Sequence, residues 1–137
     1  MPKGEPEIGD QKTCEHRVED MDCASALATT PGEAFPRVFA TTKMIALMEL
    51  AGARVLQPCL GPGELSVGVR VEVTHTAATL PGSTVVARAR YLGRQGKLYR
   101  FEVSAEDEGG EVGRGLHDRA IVTTDRLLEG AQRRRAS

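Results

Sequence analysis

Met44-Ile-Ala-Leu-Met-Glu-Leu-Ala-Gly52 decides the fold, because it is a helical apolar pattern with a single charge inside it. At helical spacing Met44, Leu47, Met48, Ala51 and Val55 share one face, and Ile45, Glu49, Gly52 and Leu56 lie on its neighbour. Thr41 or Thr42 can act as N-cap by accepting a hydrogen bond from a free amide of the first turn. The pattern runs to about Leu56 or Gln57, where Pro58 and then Gly61-Pro62-Gly63 end it. Such a broad apolar arc has to be covered by something. Moving a carboxylate from water into apolar surroundings costs about several kcal/mol unless it finds partners or takes up a proton. Packing alone would place Leu or Ala at position 49. Glu49 is therefore a candidate for chemistry, the ordinary alternative being a Glu that snorkels to solvent or caps a neighbouring backbone group.

Outward from the helix, the period of the sequence changes from 3.6 to 2. Val67, Val69, Val71, Val73, His75 and Ala77 alternate with Gly68, Arg70, Glu72, Thr74 and Thr76, which predicts a strand. Leu80-Pro81-Gly82-Ser83 has Pro and Gly at the central positions of a type II turn. A strand over 84–92 follows, with Val85, Ala87, Ala89 and Tyr91 on one face. Gly93-Arg94-Gln95-Gly96 turns into a strand over 98–105, and Glu108-Gly109-Gly110-Glu111 into another over 112–124. Upstream, 13–18 reads as a weak first strand and Phe35-Pro36-Arg37-Val38-Phe39 as a connector that tucks two aromatics against the core. Short connections imply antiparallel neighbours. The expected architecture is α+β, a hotdog fold in which one long helix is wrapped by a curved antiparallel sheet. A lone small sheet would leave an edge and part of the helix uncovered, so a dimer is expected.

The chain of 137 residues suits one domain, placed at 12–126 between a flexible N-terminus (1–11) and a C-terminal tail (127–137) that ends in a solvated Arg133-Arg134-Arg135 cluster. Basic and acidic residues number 18 and 19, for a formal charge of -1, which gives no electrostatic case for nucleic acid as a partner. No apolar run approaches the roughly 18 residues of a membrane span, and the charged N-terminus lacks an export signal. Cys14, Cys23 and Cys59 are odd in number and lack Cys-x-x-Cys spacing, so they read as reduced thiols of a cytoplasmic protein. The His and Cys residues show no metal-ligand spacing, and no phosphate loop, dinucleotide fingerprint or nucleophile elbow is present. No metal and no cofactor are expected.

Three stretches together resemble the fluoroacetyl-CoA thioesterase family of hotdog proteins: 35–51 (Phe-Pro-Arg-Val-Phe-Ala-Thr-Thr-Lys-Met-Ile-Ala-Leu-Met-Glu-Leu-Ala), Val73-Thr-His-Thr-Ala-Ala-Thr-Leu-Pro-Gly82, and Gly113-Arg-Gly-Leu-His-Asp-Arg119. The Val-Thr-His-Thr-Ala-Ala-Thr phrase followed by Pro-Gly is the specific part. The resemblance spans roughly 33–124 and implies a homodimeric acyl-CoA thioesterase with the CoA thioester as substrate. It also implies an active site of a Thr, a Glu and a His, which fall on Thr41, Glu49 and His75.

Thioester hydrolysis needs a nucleophile or activated water, a proton shuttle and donors for the developing oxyanion. Glu49 would activate water or attack the carbonyl directly. His75 alternates onto an apolar face, where an isolated His is more often a core residue than a catalyst; the family phrase makes it the acid–base or orienting group. Thr41 at the helix start would place its hydroxyl beside free amides, with Thr42 competing for that place. Gly68 would let substrate or backbone approach closely, or mark a bulge. Arg119 would support the site or hold a carboxylate, and Phe35 is grouped with the substrate-binding residues. His16 and His117 are taken as structural or exposed. Thr41 and Glu49 are about 12 Å apart along a helix. The expectation is therefore a site at the dimer interface, with Glu49 of one chain facing Thr41 or His75 of the other. The acyl group, and dimer versus tetramer, stay open. Two other functions fit the same fold: a hydratase or dehydratase, and a non-catalytic acyl-CoA-binding module.

Overall fold

Five antiparallel strands and two helices make up most of residues 4–136, the part of the chain that a computed structural model describes. The strands are β1 (Gln11–Arg17), β2 (Glu64–His75), β3 (Thr84–Gln95), β4 (Leu98–Asp107) and β5 (Gly110–Thr123). The helices are α1 (Thr41–Leu56) and α2 (Thr124–Ala136), with short 3-10 turns at Asp20–Asp22, Ala24–Leu27 and Gln57–Cys59. In the sheet the order is β1-β3-β4-β5-β2, so β1 and β2 form the edges.

α1 buries the predicted stripe, Met44, Leu47, Met48, Ala51 and Val55, together with Gly52 and Leu56. Opposite it stand Val85, Ala87, Ala89 and Tyr91 of β3 and Phe101, Val103 and Ala105 of β4, all essentially inaccessible. The three alanines keep that part of the sheet thin, so the helix can sit close. Full burial of a Met or Leu side chain stabilises by roughly 1.5–3 kcal/mol, so this stripe is the main source of cohesion. The helix stops where Pro58 enters the first turn of Gln57–Cys59. The type II turn forms as read, with Ser83 N–H bonded to Leu80 C=O at 3.2 Å and Gly82 at φ +94.

Four expectations shift. The strand at 84–92 extends to Gln95, because a bulge between Tyr91 and Gly93 lets pairing with β4 continue and moves the turn to Gly96 (φ +62). Residues 5–10, expected to be loose, are tied along β3 by Gly9 N–H to Tyr91 C=O, Tyr91 N–H to Asp10 C=O, and a Glu5–Arg94 ion pair; residues 1–3 of that expected flexible segment lie outside the described residues. The arginine cluster is not a frayed tail but the last turn of α2, where its charge complements the helix dipole, as Asp125 does in the first turn. Of the two connector aromatics only Phe39 is buried, while Phe35 is exposed.

The consequential difference is in β2. Its alternation breaks at a bulge between Gly68 and Arg70. Before it, Ser66 and Gly68 pair with Ile121 and Arg119; after it, Val71, Val73 and His75 pair with His117, Gly115 and Gly113. Directly opposed residues share a face, so the extra residue brings Ser66 and Gly68 onto the same inner side as His75. Unbroken alternation would have turned them outward. Val69, the bulged residue, is left exposed.

Candidate active site

α1 carries two polar clusters, one at its N-terminus and one two turns further on. At the N-terminus the cap residue is Ala40, in an extended conformation with no side chain to offer. Its carbonyl accepts from the amides of Lys43 and Met44, so Thr41 is the first residue of the helix and not its cap. This corrects the expected capping by Thr41 or Thr42, and it frees the Thr41 hydroxyl, which meets Nδ1 of His75 at 2.8 Å. Thr42 is exposed and takes no part in the cluster. His75 closes β2, with Phe39 edge-on to its ring at 6.1 Å between centroids. Burial pushes the imidazole below its ordinary 6.5, opposed by the Ala77 carbonyl, which lies near the ring but outside hydrogen-bond geometry. The ring is thus neutral around pH 7, and Nδ1 can accept from the threonine hydroxyl with the proton held on Nε2. A cavity of about 370 Å³ opens beside the pair, walled by Pro36, Val38, Phe39 and Ala78. Phe35 is not among its lining residues.

The second cluster centres on Arg119, which is only 6% exposed. Its Nη1 donates to Oε1 of Glu49 at 3.2 Å, its Nε to the Ser66 hydroxyl at 3.0 Å, and its Nη2 to the Ser66 carbonyl at 3.1 Å. His117, fully buried, donates from Nδ1 to the Arg70 carbonyl at 2.8 Å, which leaves Nε2 to accept from Arg119 Nη1 at 3.2 Å. Burial keeps that ring neutral, pushing it below its ordinary value. Glu49 is not a buried charge within one chain: its side chain is 40% exposed. One carboxylate oxygen is held by a buried cation, and the other makes no hydrogen bond among the described residues. Gly68 lies directly beneath, and a Cβ there would collide with Oε1 of Glu49. The bulge anticipated as one reading of Gly68 is present, and what approaches the glycine closely is the Glu49 side chain.

Within one chain, then, the fold joins Thr41 to His75, and Glu49 to Arg119 and Gly68, and leaves Phe35 and Thr42 outside both clusters. Arg119, expected to support the site or hold a carboxylate, is bonded to the carboxylate of Glu49. His117 and Ser66 were missed as members of the site. His117 could have been suspected from its i,i+2 spacing to Arg119 on one strand face; Ser66 could not, since it reaches that face only through the bulge. His16, read as structural or exposed, is bonded to Asp22 at 2.7 Å.

Because burial depresses the titration of His75, any activity that needs its neutral ring is expected to persist as pH falls through 6.5 and to drop only below it. A kcat/KM profile in which Thr41→Ala alters the acid limb checks this; a wild-type limb at or above 6.5 would contradict it.

Comparison with known proteins converges on one family. The family model for the fluoroacetyl-CoA-specific thioesterase matches residues 18–125. The fluoroacetyl-CoA thioesterase of Streptantibioticus cattleyicolor is 46% identical over 93 residues, covering 68% of this chain and 67% of that protein. A solved structure of a point mutant of the fluoroacetyl-CoA-specific thioesterase FlK superposes with a TM-score of 0.89 at 34% identity, over 96% of this chain and 99% of that one. A thioesterase superfamily member from Thermus thermophilus does so with a TM-score of 0.85 at 28% identity, over 98% and 95%.

Proposed function

We propose that this chain, which belongs to the fluoroacetyl-CoA-specific thioesterase family and is thereby a thioester hydrolase of the hotdog fold, cleaves a small or short-chain acyl-CoA to the free acid and CoA. The observation that carries the site assignment is the Glu49 carboxylate, anchored at Oε1 by buried Arg119 over Gly68, on a side chain that is 40% exposed and whose second oxygen makes no hydrogen bond among the described residues. An anchored carboxylate with one free oxygen suits a base that takes a proton from water, or a nucleophile that adds to the thioester carbonyl. In either route the C–S bond breaks, the thiolate leaves as CoA with a proton, and water supplies the acid's new oxygen. Thr41 and His75 assist. A neutral His75 orients the threonine hydroxyl, and the first-turn amides of α1, which lack acceptors within the helix, are available to the carbonyl oxygen as it gathers charge.

Glu49 and Thr41 are too far apart to act on one carbonyl within a chain, so each site combines Glu49 of one subunit with Thr41 and His75 of another. The edge strand β2 supports a homodimer: it runs for 12 residues with its outer edge unpaired, and its Leu65, Val69 and Val71 are exposed, as is Leu50 of α1. β1, the other edge, is shorter and blunted by Lys12, Glu15 and Arg17. The modest cavity at His75 favours a small acyl group. Relatives agree with this, since FlK variants have been solved with fluoroacetate and CoA and with acetyl-CoA. The thioester is the only small molecule the reaction needs besides water. Free Cys14, Cys23 and Cys59 fit a reducing cytoplasm, and no helix among the described residues is long and apolar enough to cross a membrane.

Release of free CoA from a panel of acyl-CoAs, by wild type and Glu49→Ala, tests the reading. Turnover of short acyl groups that disappears in the variant is expected. Retained binding without turnover of any thioester would favour a binding module, and hydration of an enoyl-CoA a hydratase.

A further inference from the structure

Among the described residues, three buried polar ones lie outside both clusters: Asp118, which is paired with Arg100, and, at the entry to α1, Asp22, 5% exposed, and Thr79, 1% exposed. The main-chain oxygens of Asp22 and Thr79 grip consecutive amides of the segment that enters α1. The Thr79 carbonyl accepts from Phe39 N–H and the Asp22 carbonyl from Ala40 N–H, each at 2.9 Å. The next residue is Thr41.

Each jaw is anchored in turn by its own side chain. The Thr79 hydroxyl donates to Oδ2 of Asp107 at 2.7 Å, and the other oxygen of Asp107 accepts from Gly109 N–H at 2.8 Å, which fastens this jaw to the β4–β5 turn. Oδ2 of Asp22 accepts from Glu19 N–H at 2.8 Å and bonds Nε2 of His16 at 2.7 Å, while Nζ of Lys43 lies 3.6 Å from Oδ1. Burial alone would raise the Asp22 carboxyl, but the Glu19 amide and His16 outweigh it and hold the group below its ordinary value. Thr79 also closes the Val73–Thr79 phrase, four residues beyond His75, so one anchor braces both partners of the 2.8 Å hydroxyl–imidazole bond.

We propose that Thr79, with Asp22 opposite, is a positioning residue that seats the Thr41 hydroxyl on His75. The inference rests on the thioesterase reading above, and its test separates the two. Thr79→Val keeps the side chain's shape and deletes only the bond to Asp107. It is expected to lower kcat roughly tenfold with KM within about twofold, the signature of a misplaced group and not of lost binding. Thr79→Ser restores kcat. In a Thr41→Ala background Thr79→Val has no further effect, because both changes remove the same interaction. Additive losses in the two backgrounds, or an unchanged kcat for Thr79→Val, would overturn the proposal. The titration of His75 followed by NMR reads the geometry without the chemistry. Thr79→Val and Thr41→Ala are expected to displace it in the same direction, and an unmoved titration in Thr79→Val overturns the bracket whatever the activity. Full activity in Thr41→Ala with a displaced His75 titration would instead overturn the part given to Thr41 in hydrolysis and leave the bracket standing. Should Thr79→Val not fold, Asp107→Ala removes the same anchor from the half-buried turn and is read in the same way.

Discussion

Glu49→Gln is expected to reduce kcat by roughly 10²–10⁴-fold while the protein stays folded. Gln preserves the length of the side chain and still offers Arg119 an acceptor, so the geometry of the second cluster survives. What disappears is the negative charge that takes a proton from water or attacks the thioester carbon. The stability cost is small, because the Glu49 side chain is 40% exposed and solvent already screens its ion pair. Steady-state CoA release together with a thermal melt measures both quantities. A variant that retains more than about a tenth of wild-type kcat would show that the carboxylate is not the reactive group.

Gly68→Ala is expected to have the second largest effect, with the same separation of activity from stability. The added Cβ would overlap Oε1 of Glu49, so the carboxylate has to swing away from Arg119. The end of a flexible side chain moves cheaply, and the melting temperature should change little. A displacement of about 1 Å at a reacting group can cost on the order of 10²-fold in rate, and a loss of that order is predicted for kcat. Wild-type turnover in Gly68→Ala would mean that the position of Glu49 seen here is not the one that matters.

Why the carboxylate rests on that glycine depends on a feature that sequence periodicity does not carry. The helix from Thr41 to Leu56, its buried stripe and the inner faces of β3 and β4 were legible because hydrophobic spacing reports directly which side is covered. The turn at Leu80–Ser83 was legible because Pro and Gly each restrict or permit one backbone angle. The bulge at Gly68–Arg70 was not, since Val67, Val69, Val71 and Val73 continue the alternation across it as though nothing intervened. Reading through it turns Ser66 and Gly68 to the wrong face and hides the cradle in which Arg119 lies. The cap at Ala40 was likewise invisible, because a threonine beside a helix start is ordinarily a cap. Here Thr79 and Asp22 fix the entry through their main-chain oxygens, and the Thr41 hydroxyl is released for His75. The solitary charge at position 49 was the clearest signal in the chain. Its partner cation, seventy residues away, became evident only in three dimensions.

Mixing two impaired variants tests the central claim, that the carboxylate and the threonine–histidine pair act on one thioester from different subunits. Glu49→Ala and Thr41→Ala are each expected to be strongly impaired as homodimers, with the residual turnover of Thr41→Ala still measurable. After unfolding, mixing and refolding, half the dimers pair unlike chains, and each such dimer holds one intact composite site. Recovery of about one quarter of wild-type CoA release is the predicted result. No recovery, with heterodimers demonstrated by mass, would contradict a site shared between subunits.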